Sequence, residues 1–142
     1  MIHYDHLDEI SLLENDNERI LHLKLNYYPP DDYPDEKGRT TIHHLTFRFS
    51  FDLIKILIDK NVNINIMDDM GNTPLHYAVF RDDYPEVLKY FIKNGAKVNI
   101  KNKNGNTPTD LRTILKKAED NAEINYYTVK KVFSLIGMEM YF

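Results

Sequence analysis

The sequence predicts an all-α solenoid of about four helix-turn-helix units, and three observations predict it. A glycine-led motif recurs at Gly38, Gly71 and Gly105, at spacings of 33 and 34 residues. The stretch that follows recurs too: residues 53–65 align with residues 87–99. Each repeated stretch carries the i, i+1, i+4, i+5 apolar pattern of a helix with one buried face, as in Val87, Leu88, Phe91 and Ile92. A unit of this size cannot bury its own apolar face, so it gains stability only by stacking on its neighbours.

Residues 1–34 read as a degenerate N-terminal capping unit. Leu7, Ile10, Leu12 and Leu13 suit a short helix, and residues 18–28 suit a second one with Ile20, Leu21, Leu25 and Tyr28 apolar. Leu21, Leu23, Leu25 and Tyr27 also alternate as a strand would. Repeat phase decides for helix, because Tyr28 falls 33 residues before Asn61, where a helix should end. Residues 28–37 then form an inter-repeat loop stiffened by Pro29, Pro30 and Pro34.

Residues 35–67 form the first full unit, opening on Gly38-Arg39-Thr40-Thr41-Ile42-His43-His44-Leu45. Residues 68–101 form the second, opening on Gly71-Asn72-Thr73-Pro74-Leu75-His76-Tyr77-Ala78. Gly71 supplies the turn between units, where positive φ is free. Thr73 can cap the helix and Pro74 suits its first turn, where a missing N–H costs nothing. Asn94-Gly95 ends the second helix of that unit, and Asn61 takes the glycine's place in the unit before.

Residues 102–142 form a C-terminal capping unit. Thr107-Pro108-Thr109-Asp110-Leu111 opens its inner helix, expected to reach about Lys117, with Arg112 where a small residue stands in the preceding unit. Residues 118–125 read as a polar connection. Tyr126, Val129, Val132, Phe133 and Ile136 then make an apolar stripe expected to close the stack.

The T-P-L-H-x-A motif at a 33-residue period resembles the ankyrin repeat. The resemblance covers residues 35–111 and is strongest in the middle unit; Thr41 for proline and Leu45 for alanine weaken the first. It implies stacked helical pairs and a structural role for His43 and His76 in hydrogen bonds between adjacent repeat loops. It also implies that loop tips and the exposed side of the inner helices bind a partner. Mapped onto this chain, those positions are Glu36, Lys37, Arg39, Phe47 and Arg48 from one unit. The next unit gives Met67, Asp69, Met70, Asn72, Phe80 and Arg81, and the last gives Lys101, Lys103, Asn104 and Asn106. Phe47 and Phe80 lie 33 residues apart at one repeat position, each followed by arginine. They are expected to face solvent with Met70 as an apolar centre rimmed by Arg48 and Arg81; the competing reading tucks both rings against a neighbouring helix.

Chemistry-bearing patterns are sparse. The chain has no cysteine, which removes disulfides, thiol nucleophiles and thiolate metal sites. No phosphate loop, nucleophile elbow or H-E-x-x-H helix occurs, and Ser11, Ser50 and Ser134 stand in no nucleophile setting. His3, His6 and His22, or Asp31, Asp32, Asp35 and Glu36, are the only groups that suggest a metal- or calcium-dependent enzyme. The acidic group does not match a calcium loop.

Net charge is −7 over residues 1–71 and +3 over residues 72–142, so the chain as a whole is a poor phosphate binder. Lys97, Lys101, Lys103, Arg112, Lys116 and Lys117 form the one basic cluster, without aromatic interleaving. No apolar run spans a bilayer and no secretory signal opens the chain, so the expected location is cytoplasmic. The expectation is a cofactor-free, non-enzymatic binder of another protein, with no nucleic acid, membrane or small-molecule substrate. Fourteen Ile, fourteen Asn and thirteen Lys against four Ala mark an AT-rich genome. Large DNA viruses, low-GC bacteria and some protists have such genomes; with the degenerate units, the chain resembles ankyrin proteins of large DNA viruses, which often interfere with host signalling. A low-GC bacterium is the alternative, with an immunity protein that neutralises a cognate toxin.

Overall fold

The computed structural model describes residues 34–121 and 126–138. The capping unit expected over residues 1–34, including the histidines and Asp31-Asp32, lies outside them apart from Pro34. Six helices are present among the described residues: α1 Thr41–Arg48, α2 Phe51–Asp59, α3 Pro74–Ala78, α4 Tyr84–Lys93, α5 Pro108–Asp120 and α6 Tyr126–Leu135. No strand is present among these residues. Helices α1, α3 and α5 pack side by side as an inner layer; α2 packs against α1, α4 against α3 and α6 against α5.

The helix starts follow from the repeated threonines. Thr40, Thr73 and Thr107 are N-caps with extended backbone, and Pro74 and Pro108 occupy the first turn. In the first two units the residue three positions on is histidine. Its Nδ1 accepts the cap residue's N–H, at 3.0 Å for His43 and 2.9 Å for His76. In the last unit Asp110 accepts from Thr107 N–H at 2.9 Å, and Thr107 Oγ1 accepts from Asp110 N–H. Both arrangements satisfy donors that a helix start leaves without partners.

Because Nδ1 accepts, the proton of each imidazole sits on Nε2. From there His43 donates to Asn72 O and His76 to Asn106 O, both at 2.9 Å. Each histidine therefore ties its helix to the loop of the next unit, as the resemblance implies. Burial holds both imidazoles below the ordinary histidine pKa, against the raising effect of their hydrogen bonds.

The core is the apolar seam between the layers. Ile42, Leu45, Leu53, Ile54, Leu75, Val87, Phe91 and Leu111 are fully buried. Ile92, expected on the buried stripe of α4, is 51% exposed: the buried face of α4 narrows to Tyr84, Val87 and Phe91. Asn61 takes positive φ (64°) where the middle unit has glycine, as its position at a helix end requires. The last inner helix runs three residues past Lys117, to Asp120, because Ala118 is buried and prolongs its apolar face. Part of the expected connection over residues 118–125 is thus helix.

Arg112, at the position that Ala78 holds in the preceding unit, is accommodated by contacts across the stack. Its guanidinium reaches across to the preceding unit, donating to Val79 O at 2.6 Å and lying 5.3 Å over the Tyr84 ring. It satisfies a carbonyl just beyond α3 that a helix end leaves open.

Candidate functional site

Three tight turns precede the inner helices and are built alike. Asp35, Asp68 and Asn102 each accept two backbone N–H groups on one side-chain oxygen, from residues two and four positions ahead, at 2.9–3.1 Å. The same residues donate their own N–H to Arg39 O, Asn72 O and Asn106 O, each at 2.9 Å. These short side chains favour such turns because they bond the local backbone. The turns are stitched to one another: Asp69 N–H donates to Lys37 O, and Lys103 N–H to Met70 O, both at 2.9 Å. The result is a row of fingers whose tips keep fixed spacing.

Several residues expected to meet a partner lie on this row. Glu36, Lys37, Met67, Asp69, Lys101, Lys103 and Asn104 are exposed. Met67, Asp69, Lys101 and Lys103 line a depression of about 580 Å³ between two fingers. Arg48 is exposed at the end of α1. Arg39 and Asn106 are half-buried; Arg39 pairs with Asp35 at 2.8 Å, and Asn106 donates its amide to Asn104 O.

The inner face departs from expectation. Phe47 and Phe80 do come together, with centroids 6.1 Å apart, but they are half-buried. Phe133 of α6 stacks on Phe80 at 4.5 Å and meets Phe47 edge-on at 5.9 Å. Met70 lies against Gly137. The apolar centre of Phe47, Met70 and Phe80 is therefore covered by the chain's own C-terminal helix, which crosses the inner face instead of merely closing the stack. Within the expected stripe Val132 and Ile136 are buried, whereas Tyr126 is 43% exposed.

Asn72 must be withdrawn from the surface. It is fully buried, donating its amide to Ile136 O at 2.7 Å and to Asp68 at 3.3 Å. Arg81 is also taken up inside: its side chain is 9% exposed, donates to Phe49 O at 2.5 Å and pairs with Asp83 at 2.7 Å. That pairing holds the Asp83 carboxyl below its usual value. Sequence reasoning missed Phe133, which meets Phe47 and Phe80, and Asn102, whose amide donates to Asn72 Oδ1 at 2.9 Å. The signal available was the pair of phenylalanines themselves, two large rings at a position otherwise left to solvent.

Tyr77 shows how the finger base is sealed. It donates its hydroxyl to Asp68, and burial together with that carboxylate raises its pKa. His44 bonds Asp35 at 2.9 Å yet stays below the ordinary histidine pKa, because burial outweighs the attraction. Asp35, although burial pushes its carboxyl up, is held below the usual carboxylate value by backbone N–H donors and Arg39. The carboxylates and imidazoles described here are thus committed to structure.

Comparison with known proteins gives one family. A family model described as ankyrin repeats (3 copies) matches residues 10–102, more than half of the chain. The mouse ankyrin repeat domain-containing protein 53 is 31% identical over 81 residues, covering 54% of this chain and 16% of the relative. Human protein phosphatase 1 regulatory subunit 27 is 32% identical over 74 residues, covering 52% of this chain and 47% of the relative. A putative ankyrin repeat protein of Acanthamoeba polyphaga mimivirus is 37% identical over 76 residues, covering 52% of this chain and 18% of the relative. The chain thus spans less than half the length of each of these relatives.

Proposed function

Because this chain belongs to the ankyrin-repeat family, we propose that it acts without catalysis, by holding another protein against its finger row and blocking or recruiting it. The observation that carries this reading is the row itself. Exposed Glu36, Lys37, Asp69, Lys101, Lys103 and Asn104 project from turns locked by backbone hydrogen bonds, so a partner meets a preformed surface. A preformed surface loses little conformational freedom on binding, which favours affinity. The row is acidic and basic at its first finger and basic at its last, which suits a partner with carboxylates facing Lys101 and Lys103.

The likeness to a phosphatase regulatory subunit supports a partner whose activity the chain modulates. The likeness to a mimivirus protein, with the AT-rich residue usage, supports a viral inhibitor of host signalling working in the cytoplasm. No helix among the described residues is long and apolar enough to cross a membrane.

The test is affinity capture with the wild-type chain and with a K101E/K103E variant, both shown by circular dichroism to be folded. A protein retained by the wild type and lost by the variant is the expected result. Retention of the same proteins by both chains would overturn the assignment of the finger row.

A further inference from the structure

The two outer helices α2 and α4 hold equivalent places and meet different neighbours. Residues 53–65 align one to one with residues 87–99, so Ile54, Ile58, Ile64 and Asn65 correspond to Leu88, Ile92, Val98 and Asn99. In the first unit this edge is covered by the second. Tyr90 of α4 meets Phe51 of α2 edge-on at 5.5 Å, and Lys55 Nζ lies 5.6 Å from the centre of the same Tyr90 ring. Asn65 clamps the turn that ends α4: its amide donates to Gly95 O at 3.1 Å, and its Oδ1 accepts from Lys97 N–H at 2.8 Å. Under that cover Ile54 is fully buried and Ile64 is 7% exposed.

The matching edge of α4 stands open. No helix follows α4 in the outer layer, because α6 crosses the inner face to reach Phe47 and Phe80. Ile92 is 51% exposed, Val98 is 38% exposed and Leu88 is half-buried. Asn99 is exposed and makes no hydrogen bond among the described residues. Val87 and Phe91 are as buried as Leu53 and Leu57, so the difference lies at this edge and not in how α4 sits on α3. An end unit of a solenoid ordinarily turns a polar face to water. Clustered apolar side chains rimmed by polar ones are instead the mark of an interaction surface.

Charge selects what can lie there. Residues 87–109 hold five lysines and no carboxylate. Lys89, Lys93 and Lys97 are exposed and pair with no carboxylate among the described residues. Glu86 is the one acidic residue of α4. A second α4 from another copy would bring like charge to this edge, and so would α6, which carries Lys130 and Lys131. Like charges set against each other cost affinity and exclude such occupants.

We propose that the open edge of α4 docks an acidic amphipathic helix of a partner protein, laid beside α4 as α4 is laid beside α2. The apolar stripe of that helix covers Ile92 and Val98, and its carboxylates meet Lys89, Lys93 and Lys97. The turn at its end enters the Asn99 clamp. An aromatic residue five positions before the glycine of that turn, as Tyr90 precedes Gly95, suits Lys89 in the way that Tyr90 suits Lys55. The finger row uses other residues, so the two readings stand or fall separately.

The probe is a peptide of residues 84–99 with blocked ends, carrying Lys89→Glu, Lys93→Glu and Lys97→Glu. It keeps the Tyr90 ring and the Gly95 turn that the edge of α2 recognises, and it presents acidic charge. A second peptide keeps the lysines. Titrated into the isotopically labelled full-length chain, the acidic peptide should move the amide signals of α4 and of residues 98–99 and leave those of α1 in place. It should bind at least about ten-fold more tightly than the lysine peptide. Ile92→Ser in the full-length chain should weaken it by about ten-fold. A full-length chain carrying Lys89→Glu, Lys93→Glu and Lys97→Glu should reverse the preference between the two peptides. All four substituted residues are exposed, so both variants should keep nearly the wild-type urea midpoint.

Fixed α4 signals at saturating acidic peptide, equal affinity for the two peptides, or full affinity after Ile92→Ser would overturn the proposal. The wild-type titrations with both peptides stay decisive if a variant misfolds. Sedimentation of the chain alone supplies the last outcome: a concentration-dependent assembly that Ile92→Ser abolishes would assign the edge to a second copy and overturn the partner.

Discussion

The units that open on Gly71 and on Gly105 begin alike and finish differently. Both build a finger from an Asp or Asn turn, then cap an inner helix with threonine and proline. The middle unit then sends α4 back against its own inner helix, where Val87 and Phe91 are fully buried. The last unit sends α6 across the inner face, where Phe133 meets rings from the two units before it. The finger and the inner helix are fixed by residues within a few positions of each other. The destination of the second helix depends on which distant apolar surface remains uncovered, and here Phe47 and Phe80 leave one on the inner side.

That contrast can be broken at either end. The largest effect is expected at the middle unit: Phe91→Ala should cost about 3–5 kcal/mol, because it leaves a cavity at a fully buried site. Urea unfolding should show one transition shifted as a whole, since each unit is stabilised by its neighbours.

Next is His76→Ala, expected to cost about 2 kcal/mol because it leaves the buried Thr73 N–H without a partner and takes one of two donors from the Asn106 carbonyl. The same histidines make stability depend on pH. Buried His43 and His76 and half-buried His44 have folded pKa values below the unfolded 6.5, so the unfolded chain binds more protons. Their contribution is complete above about 6.5 and is lost as pH falls below it. Urea midpoints at pH 7.5 and 5.5 should show the loss, and His76→Ala should reduce it.

Phe133→Ala should have a smaller cost, about 1–2 kcal/mol, since the ring is half-buried. Its sharper signature is local: amide exchange in α6 should accelerate while α2 and α4 stay protected, the reverse of the global response to Phe91→Ala. Smallest is Asn61→Gly, which relieves a left-handed φ of 64° and should stabilise by about 0.5 kcal/mol, read as a small rise in melting temperature.

Much of the fold was legible in the sequence because ankyrin units encode themselves locally. The spacing of Gly38, Gly71 and Gly105, the threonine caps and the two motif histidines each specify contacts within one unit or with the next. The route of α6 was not legible. A stripe of Val129, Val132, Phe133 and Ile136 has the same period whether it packs behind the inner helices or across them. For the same reason the candidate site was half readable. Finger tips such as Asp69, Lys101 and Lys103 follow from repeat position, whereas the burial of Asn72 depends on Ile136, 64 residues away. Arg112 taught the converse: a bulky residue at a small position was compatible with the stack because a carbonyl of the previous unit stood within its reach.

Gly137 concentrates this behaviour in one position. A Cβ there would lie 2.7 Å from Met70 Cγ, on a backbone whose φ of 75° already resists any side chain. Replacement by an L-residue would therefore spoil the helix ending and crowd its seat at once. Every base change in a glycine codon that alters the residue adds a side chain or a stop. A lineage carrying this chain is thus one mutation away from straining the seat of α6 against Met70.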